Sequence, residues 1–244
     1  MSEPVGEPGG ERASTPSEPV GEPGGERAST PSEPVGEPGG ERANSVHRLE
    51  RQMRFVAEIG KLKGVLRQTT LAELGRRENS AEHSWHLAMM ATVLGEYAPP
   101  GVDLNRVTTM LLLHDLVEID AGDLFAYADT DAQARQEAAE RAAADRIFAL
   151  LPGDLHASLR ALWDEFTDRR TADAKFARAL DRLQPMLENI AVGGGTWERH
   201  RITADQVLEK VALIDDGSAW LGSFARRLVE RAVATGILAP APIS

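Results

Sequence analysis

The sequence predicts an all-α fold, a compact bundle of six or more helices, and three observations predict it. From His47 onward apolar residues recur at helical spacing almost without interruption. Capping residues precede these runs, and Gly or Pro follows them. No stretch shows the β-branched alternation of a strand.

The elements follow in order. Residues 2–46 are three copies of a 15-residue unit, SEPVGEPGGERASTP at 2–16 and again at 17–31, then SEPVGEPGGERANSV at 32–46. Each copy is dominated by Gly, Pro and charge. It has no apolar face to bury or to stack, so residues 1–46 are expected to be a disordered tail. The folded domain is then 47–244. Its first clear helix is capped by Ser80, continues through Ala81, Glu82, His83, Leu87, Met90, Val93 and Leu94, and is stopped by Pro99-Pro100. Asp103 caps a second, with Leu104, Val107, Leu111 and Val117 as its core stripe and Gly122 as its terminator. A third, rich in Ala, Glu and Arg, runs from about Asp131 to Leu151 and is closed by Pro152-Gly153. Leu155 to Phe166, Ala172 to Val192 and Thr203 to Thr235 have the same character.

Composition narrows the function. The chain of 244 residues carries 27 Lys+Arg against 38 Asp+Glu, a net charge of -11, and no cysteine. Thiol chemistry, disulfides and Cys-ligated zinc are excluded, and the acidic balance disfavours a long nucleic acid as partner. The tail's nine Glu and three Arg supply more than half of the net charge. The apolar run Met110-Leu111-Leu112-Leu113 ends at His114-Asp115, far short of the roughly 20 residues of a membrane span. The opening MSEPVGEPGG lacks a basic, apolar leader, so the expected location is the cytoplasm, with no membrane partner.

Chemistry concentrates in ENSAEHSWH at 78–86 and LLLHDLVEIDAGDL at 111–124. His114 and Asp115 follow three leucines on a face directed at the core, where an unpaired carboxylate is strongly disfavoured. A divalent cation satisfies both. Glu118 lies four residues after His114 and three after Asp115, on the same side of the helix, and Asp123 follows a Gly that lets the chain turn back. Asp181, which interrupts FARALDRL at 176–183, offers a further oxygen, and His83 a second nitrogen. Helix-end capping competes as a role for Glu118 and Asp123. His86 reads as a hydrogen-bonding neighbour of His83, and His47, His156 and His200 lie outside every motif.

This ordered set resembles the HD-domain metal-dependent phosphohydrolases, in particular the small 5'-nucleotidases acting on deoxynucleoside monophosphates. The resemblance spans about Glu58 to Glu209. It implies an HD-domain helical bundle and metal ligation by His83 in AEHS, His114 and Asp115, and Asp181 in ALDRL. HDLVEIDAGD fits HD-x-x-E-x-x-x-G-D, which implies that Glu118 and Asp123 are catalytic, Asp123 also facing the substrate. It implies that an upstream Arg, here Arg67, holds the phosphate. Gln68 stands where the bacterial enzymes carry an aromatic, and Glu165 and Phe166 fall where the family meets the nucleoside. A homodimer is implied as well. Mixed nitrogen and oxygen ligands suit Mn²⁺, Co²⁺ or Fe²⁺, with Mg²⁺ and Zn²⁺ also admitted.

Two rival readings stand beside this one. Related HD enzymes act on triphosphates, cyclic dinucleotides and guanosine polyphosphates. A triphosphate needs several basic residues around the pocket besides Arg67, and the motif region supplies few. Lys61, Lys63, Arg76 and Arg77 are the nearest alternatives for phosphate contact. The other rival is a non-enzymatic, metal-bound helical interaction module, which the loss of a motif residue would favour. None is lost.

Overall fold

The structure is a computed structural model that describes residues 38–242. The repeats up to residue 37, and the expectation that they form a disordered tail, lie outside the described residues. Helix α1 (Pro38–Ile59) starts within the third repeat. It docks through Phe55, whose ring lies 6.3 Å from that of Phe148. Arg51 fixes its direction by donating to the backbone carbonyls of Ala149, Leu150 and Leu151, the free acceptors beyond a helix end.

A 3₁₀ turn (Gly60–Gly64) leads into an element absent from the sequence reading, an antiparallel hairpin of β1 (Leu66–Thr70) and β2 (Arg77–Asn79). The strands escape a pattern search because neither alternates and both are short. Gly75 closes the turn between them at φ 60°.

Helix α2 (Ser80–Leu94) is capped by Asn79 rather than Ser80. The Asn79 side chain accepts from Glu82 N at 3.0 Å while the Glu82 carboxylate accepts from Asn79 N at 3.2 Å, a reciprocal capping box. Ser80 is thereby free to turn its hydroxyl inward. Asp103 caps α3 (Leu104–Leu113) as expected, accepting from the amides of Asn105 and Arg106. Leu104 lies at the surface edge instead of in the core stripe, whereas Val107 and Leu111 are fully buried.

The predicted long second helix tightens into a 3₁₀ turn (His114–Val117) and resumes as the single turn α4 (Glu118–Ala121) before Gly122 ends it at φ 73°. Helices α5 (Thr130–Phe148) and α6 (Gly153–Asp168) follow, then α7 (Ala172–Ala191) and the short α8 (Gly195–Arg199). The last predicted segment divides into α9 (Ala204–Gly217) and α10 (Ala219–Ala234), because Ser218 is extended. A side chain at Gly217 would sit 2.2 Å from the Lys175 carbonyl, so the glycine lets α9 pack tightly on α7.

The larger core lies between α2, α3, α7, α9 and α10, and a second gathers Phe55, Leu113, Ile147, Phe148 and Trp163 under α1. Helix α7 runs through the centre. Its Phe176, Ala177, Ala179 and Leu180 are wholly buried, yet Asp181 and Gln184 are buried among them. Among the described residues no helix is long and apolar enough to cross a membrane.

Candidate metal centre and the cavity beside it

The buried polar residues of α2, the 3₁₀ turn and α7 meet at one point. His83 and Asp181 face each other, Nε2 to Oδ1 at 3.1 Å, and His114 Nε2 lies 3.7 Å from the same oxygen and 2.9 Å from Asp115 Oδ1. Donor atoms of His83, His114 and Asp115 all fall within 4.8 Å of one another. All four residues are buried.

The hydrogen bonds on the far side of each imidazole fix what the near side offers. His114 Nδ1 donates to the Leu111 carbonyl at 2.8 Å, so in the neutral ring it is Nε2 that carries the lone pair. That atom is buried and has no hydrogen-bond partner. Gln184 donates through Nε2 to Glu78 Oε1 at 2.9 Å, which leaves its Oε1 to accept from His83 Nδ1 at 3.1 Å. In the neutral imidazole that a metal requires, His83 Nε2 then also carries the lone pair, aimed at a carboxylate. Two such lone pairs against two carboxylates repel one another, and a proton or a cation among them removes the repulsion. The residues present therefore fit a divalent metal.

Electrostatics point the same way. Burial and the nearby Arg67 oppose a charge on His83, but Asp181, Glu78 and Asp115 outweigh them and hold the imidazole up at about 9. The site draws in a proton where a metal ion would otherwise supply positive charge. Burial pushes Asp181 upward, yet Arg182, His83 and Arg178 prevail and hold it well below the usual carboxylate range. Asp115 is likewise lowered, with His114 and Arg67 overcoming its burial.

A second group of acids surrounds Arg67, which β1 extends over the centre. Arg67 Nη1 donates to Asp115 Oδ2 at 2.6 Å and lies 3.8 Å from both Glu118 Oε1 and Asp123 Oδ1. Glu118 accepts at 2.5 Å from the Ser80 hydroxyl that the capping box leaves free, and Asp123 accepts from Gln68 N at 3.1 Å. Burial, then the charge of Asp115, pushes Glu118 well above the ordinary range, and burial raises Asp123.

These groups open onto a cavity of about 230 Å³. Phe166 lines it, its ring 5.0 Å from that of His114. Glu165 does not belong to the lining. Its carboxylate is occupied outside by Arg106 and by the Thr171 hydroxyl at 2.7 Å, because the helical turn from 165 to 166 sends the two side chains apart. A smaller adjoining cavity of about 70 Å³ is walled by Gln68, Phe125, Tyr127, Asn189 and Trp197. Arg76 is engaged by Glu82, Arg77 by the carbonyls of Leu66 and Arg67, and Lys61 by Glu58.

Sequence reasoning missed Glu78, Ser80 and Gln184, which orient the site without a motif of their own. The spacing of Gln184 three residues after Asp181, on the same helix face, was the available signal. It also missed most of the basic lining. Arg169, Arg178, Arg182 and Lys210 all line the larger cavity, which corrects the expectation that few cations besides Arg67 surround it. They lie on α7, on α9 and at the end of α6, outside the motif region.

Comparison with known proteins places these features in company. Residues 59–219 match the HD domain family. The chain is 30% identical to human 5'-deoxynucleotidase HDDC2 over 145 residues, 59% of this chain and 69% of that protein. Its Xenopus laevis counterpart is 29% identical over 56% of this chain and 66% of its own length, so the chain spans about two thirds of these relatives. A crystal structure of a predicted metal-dependent phosphohydrolase from Magnetospirillum magnetotacticum MS-1 superimposes with a TM-score of 0.76 at 54% identity, covering 79% of this chain and 96% of that one.

Proposed function

Starting from the chain's membership of the HD-domain family, as a hydrolase of the metal-dependent 5'-nucleotidase type, we propose that it removes the 5'-phosphate from nucleoside and deoxynucleoside monophosphates. One observation carries the reading. Two imidazole nitrogens and two carboxylates converge with no hydrogen bond to satisfy His114 Nε2, and the cavity there is overhung by an arginine.

His83, His114, Asp115 and Asp181 would hold the metal, and their N₂O₂ set suits Mn²⁺, Co²⁺ or Fe²⁺. A divalent cation so held supplies Lewis-acid polarisation of a phosphoryl oxygen and makes water more acidic. Arg67 neutralises the phosphate with its planar fork, exchanging its contact with Asp115 for one with substrate oxygens. Glu118 is assigned to proton transfer. Burial and the charge of Asp115 hold its carboxyl well above the usual range, which favours the protonated form over that of an exposed carboxylate, and the Ser80 hydroxyl fixes its orientation. Asp123, anchored by the Gln68 amide, is assigned to the sugar or the leaving oxygen. Phe166 in the larger cavity, and Gln68 with its aromatic neighbours in the smaller adjoining one, form the walls for the nucleoside.

The proposal includes a homodimer working in the cytoplasm on a small nucleotide, with neither long nucleic acid nor membrane as partner. Trp85, Met89 and Val93 form an exposed apolar stripe along α2, which supports burial of that helix face by a second copy. The direct test loads the purified protein with Mn²⁺ or Co²⁺ and measures phosphate release from ribo- and deoxyribonucleoside mono- and triphosphates. Metal-dependent release from monophosphates is expected. No release with any metal, from protein shown to bind metal, overturns the proposal.

A further inference from the structure

The smaller cavity holds a polar group whose direction the fold dictates, and hydrolysis of a phosphate ester has no use for it. Asn189 lies near the end of α7, is only 4% exposed and belongs to the cavity lining. Its side-chain Oδ1 accepts from the Thr196 amide at 2.7 Å and from the Thr196 hydroxyl at 2.8 Å. A backbone N–H can only donate, so the oxygen of the side-chain amide is fixed on that side and Nδ2 on the other. Neither bond uses Nδ2.

The turn between α7 and α8 is shaped around this contact. Gly193, Gly194 and Gly195 lie at φ 73°, 127° and 49°, and they return the chain so that the Thr196 amide meets Asn189. A side chain at Gly195 would sit 2.6 Å from Asn189 Oδ1. The N–H donors of a buried amide are thereby held toward a cavity walled by Phe125, Tyr127 and Trp197, rings on which a planar heterocycle can stack. Gln68, the other lining amide on β1, makes its hydrogen bonds through the backbone, so its side chain can present either end. Arg182 and Lys210 line the cavity as well and offer donors only.

Arg67, assigned to the phosphate, and Asp123, assigned to the sugar or the leaving oxygen, line both cavities. A nucleotide held by them therefore meets the smaller cavity with its base. The edge of a base farthest from the sugar carries a carbonyl oxygen in uracil, thymine, guanine and hypoxanthine, and an amino group in cytosine and adenine. A fixed donor matches the carbonyl, whereas the amino group sets donor against donor. We propose that Asn189 selects the base, and that the chain prefers nucleotides whose base bears a carbonyl at that edge. The inference rests on the function proposed above and adds its substrate preference.

Equilibrium titration of the full-length, Mn²⁺-loaded protein tests it. The probes are the 5'-phosphonomethyl analogues of deoxyuridine, deoxycytidine, deoxyinosine and deoxyadenosine monophosphates, whose P–C bond is not hydrolysed. They form a pyrimidine pair and a purine pair, each differing at the far edge of the base. Within each pair the carbonyl base is expected to bind about tenfold more tightly, the difference between a matched and a mismatched buried hydrogen bond. Asn189→Asp keeps an oxygen for Thr196 and replaces the donor by an acceptor, so it should abolish or reverse the preference in both pairs. Equal binding within both pairs by the unaltered protein overturns the selection whether or not the variant folds, and an unchanged preference in Asn189→Asp overturns the assignment to this residue. Binding of none of the four defeats the proposed function and this inference together, whereas base-blind binding defeats this inference alone. Because binding is read without turnover, absence of phosphatase activity would leave an observed base preference standing.

Discussion

Replacing Gln184 by Met should weaken metal binding while leaving the chemistry of the loaded enzyme nearly intact. Gln184 touches no assigned ligand atom. Its Oε1 accepts from His83 Nδ1 at 3.1 Å and its Nε2 donates to Glu78 at 2.9 Å, so it fixes both the tautomer and the plane of the first histidine. Methionine conserves the volume of this fully buried position but offers no acceptor. The His83 N–H, itself wholly buried, then has only the Glu78 Oε2 at 3.5 Å, beyond a good hydrogen bond. An unsatisfied buried donor costs about 1–3 kcal/mol, and loss of a group that orients a metal-binding histidine typically costs 10–100-fold in affinity. The two estimates agree, since about 1.4 kcal/mol is tenfold. Titration with Mn²⁺, following the free ion by electron paramagnetic resonance, reads the affinity directly. Turnover at saturating Mn²⁺ should stay within about threefold of the parent, because a positioning residue matters little once the ligand is in place. Unchanged Mn²⁺ affinity would show that His83 is held by packing alone or is no ligand, and the argument from tautomers would fail.

The other expectations are simpler. Asp115→Ala should abolish metal binding and phosphate release while the circular dichroism spectrum stays helical, and a metal-free variant with full turnover would remove the assignment. Glu118→Gln should retain metal yet lose roughly 10²–10⁴-fold in turnover, read by single-turnover phosphate release; parental turnover would make Glu118 structural. His83, raised to about 9 from 6.5, binds a proton that the metal must displace, so Mn²⁺ affinity should fall as pH drops below about 9. The same shift stabilises the metal-free fold below pH 6.5, and that contribution is lost as pH rises through 9, so a melting temperature flat across this window would contradict it. Trp85→Glu with Val93→Glu should yield monomers by light scattering if α2 carries the dimer contact, and an unchanged mass would place the contact elsewhere.

The helices were legible because each buries one stripe and announces its ends. Asp103 caps α3 and Gly122 ends α4 by chemistry that operates within a few residues. Ser80 shows the limit of such local reading. Both Asn79 and Ser80 are good caps, and what decides between them is Glu118, 38 residues away, which takes the serine hydroxyl and leaves the cap to asparagine. The β1–β2 hairpin was illegible for a related reason. Its residues pair to deliver Arg67 and the Gln68 amide to the acids of α4 and the loop after it, and no periodic pattern in five residues records that purpose.

The two sides of the cavity differ in legibility because they differ in how their charge is tolerated. An acid within a leucine run, as at His114-Asp115, conflicts with burial and therefore stands out in the sequence; only a partner can explain it. An arginine in an amphipathic helix conflicts with nothing. Its long apolar stem packs and its head reaches water, so Arg178 and Arg182 read as ordinary surface until α9 brings Lys210 across and the left-handed cap of α6 delivers Arg169. Metal sites are thus visible as local conflicts, whereas anion sites built from cations appear only when the fold gathers them. The same asymmetry explains why a net charge of -11 misleads about the pocket: the sum over the whole chain hides that Arg67, Arg169, Arg178, Arg182 and Lys210 line the same cavity as its acids.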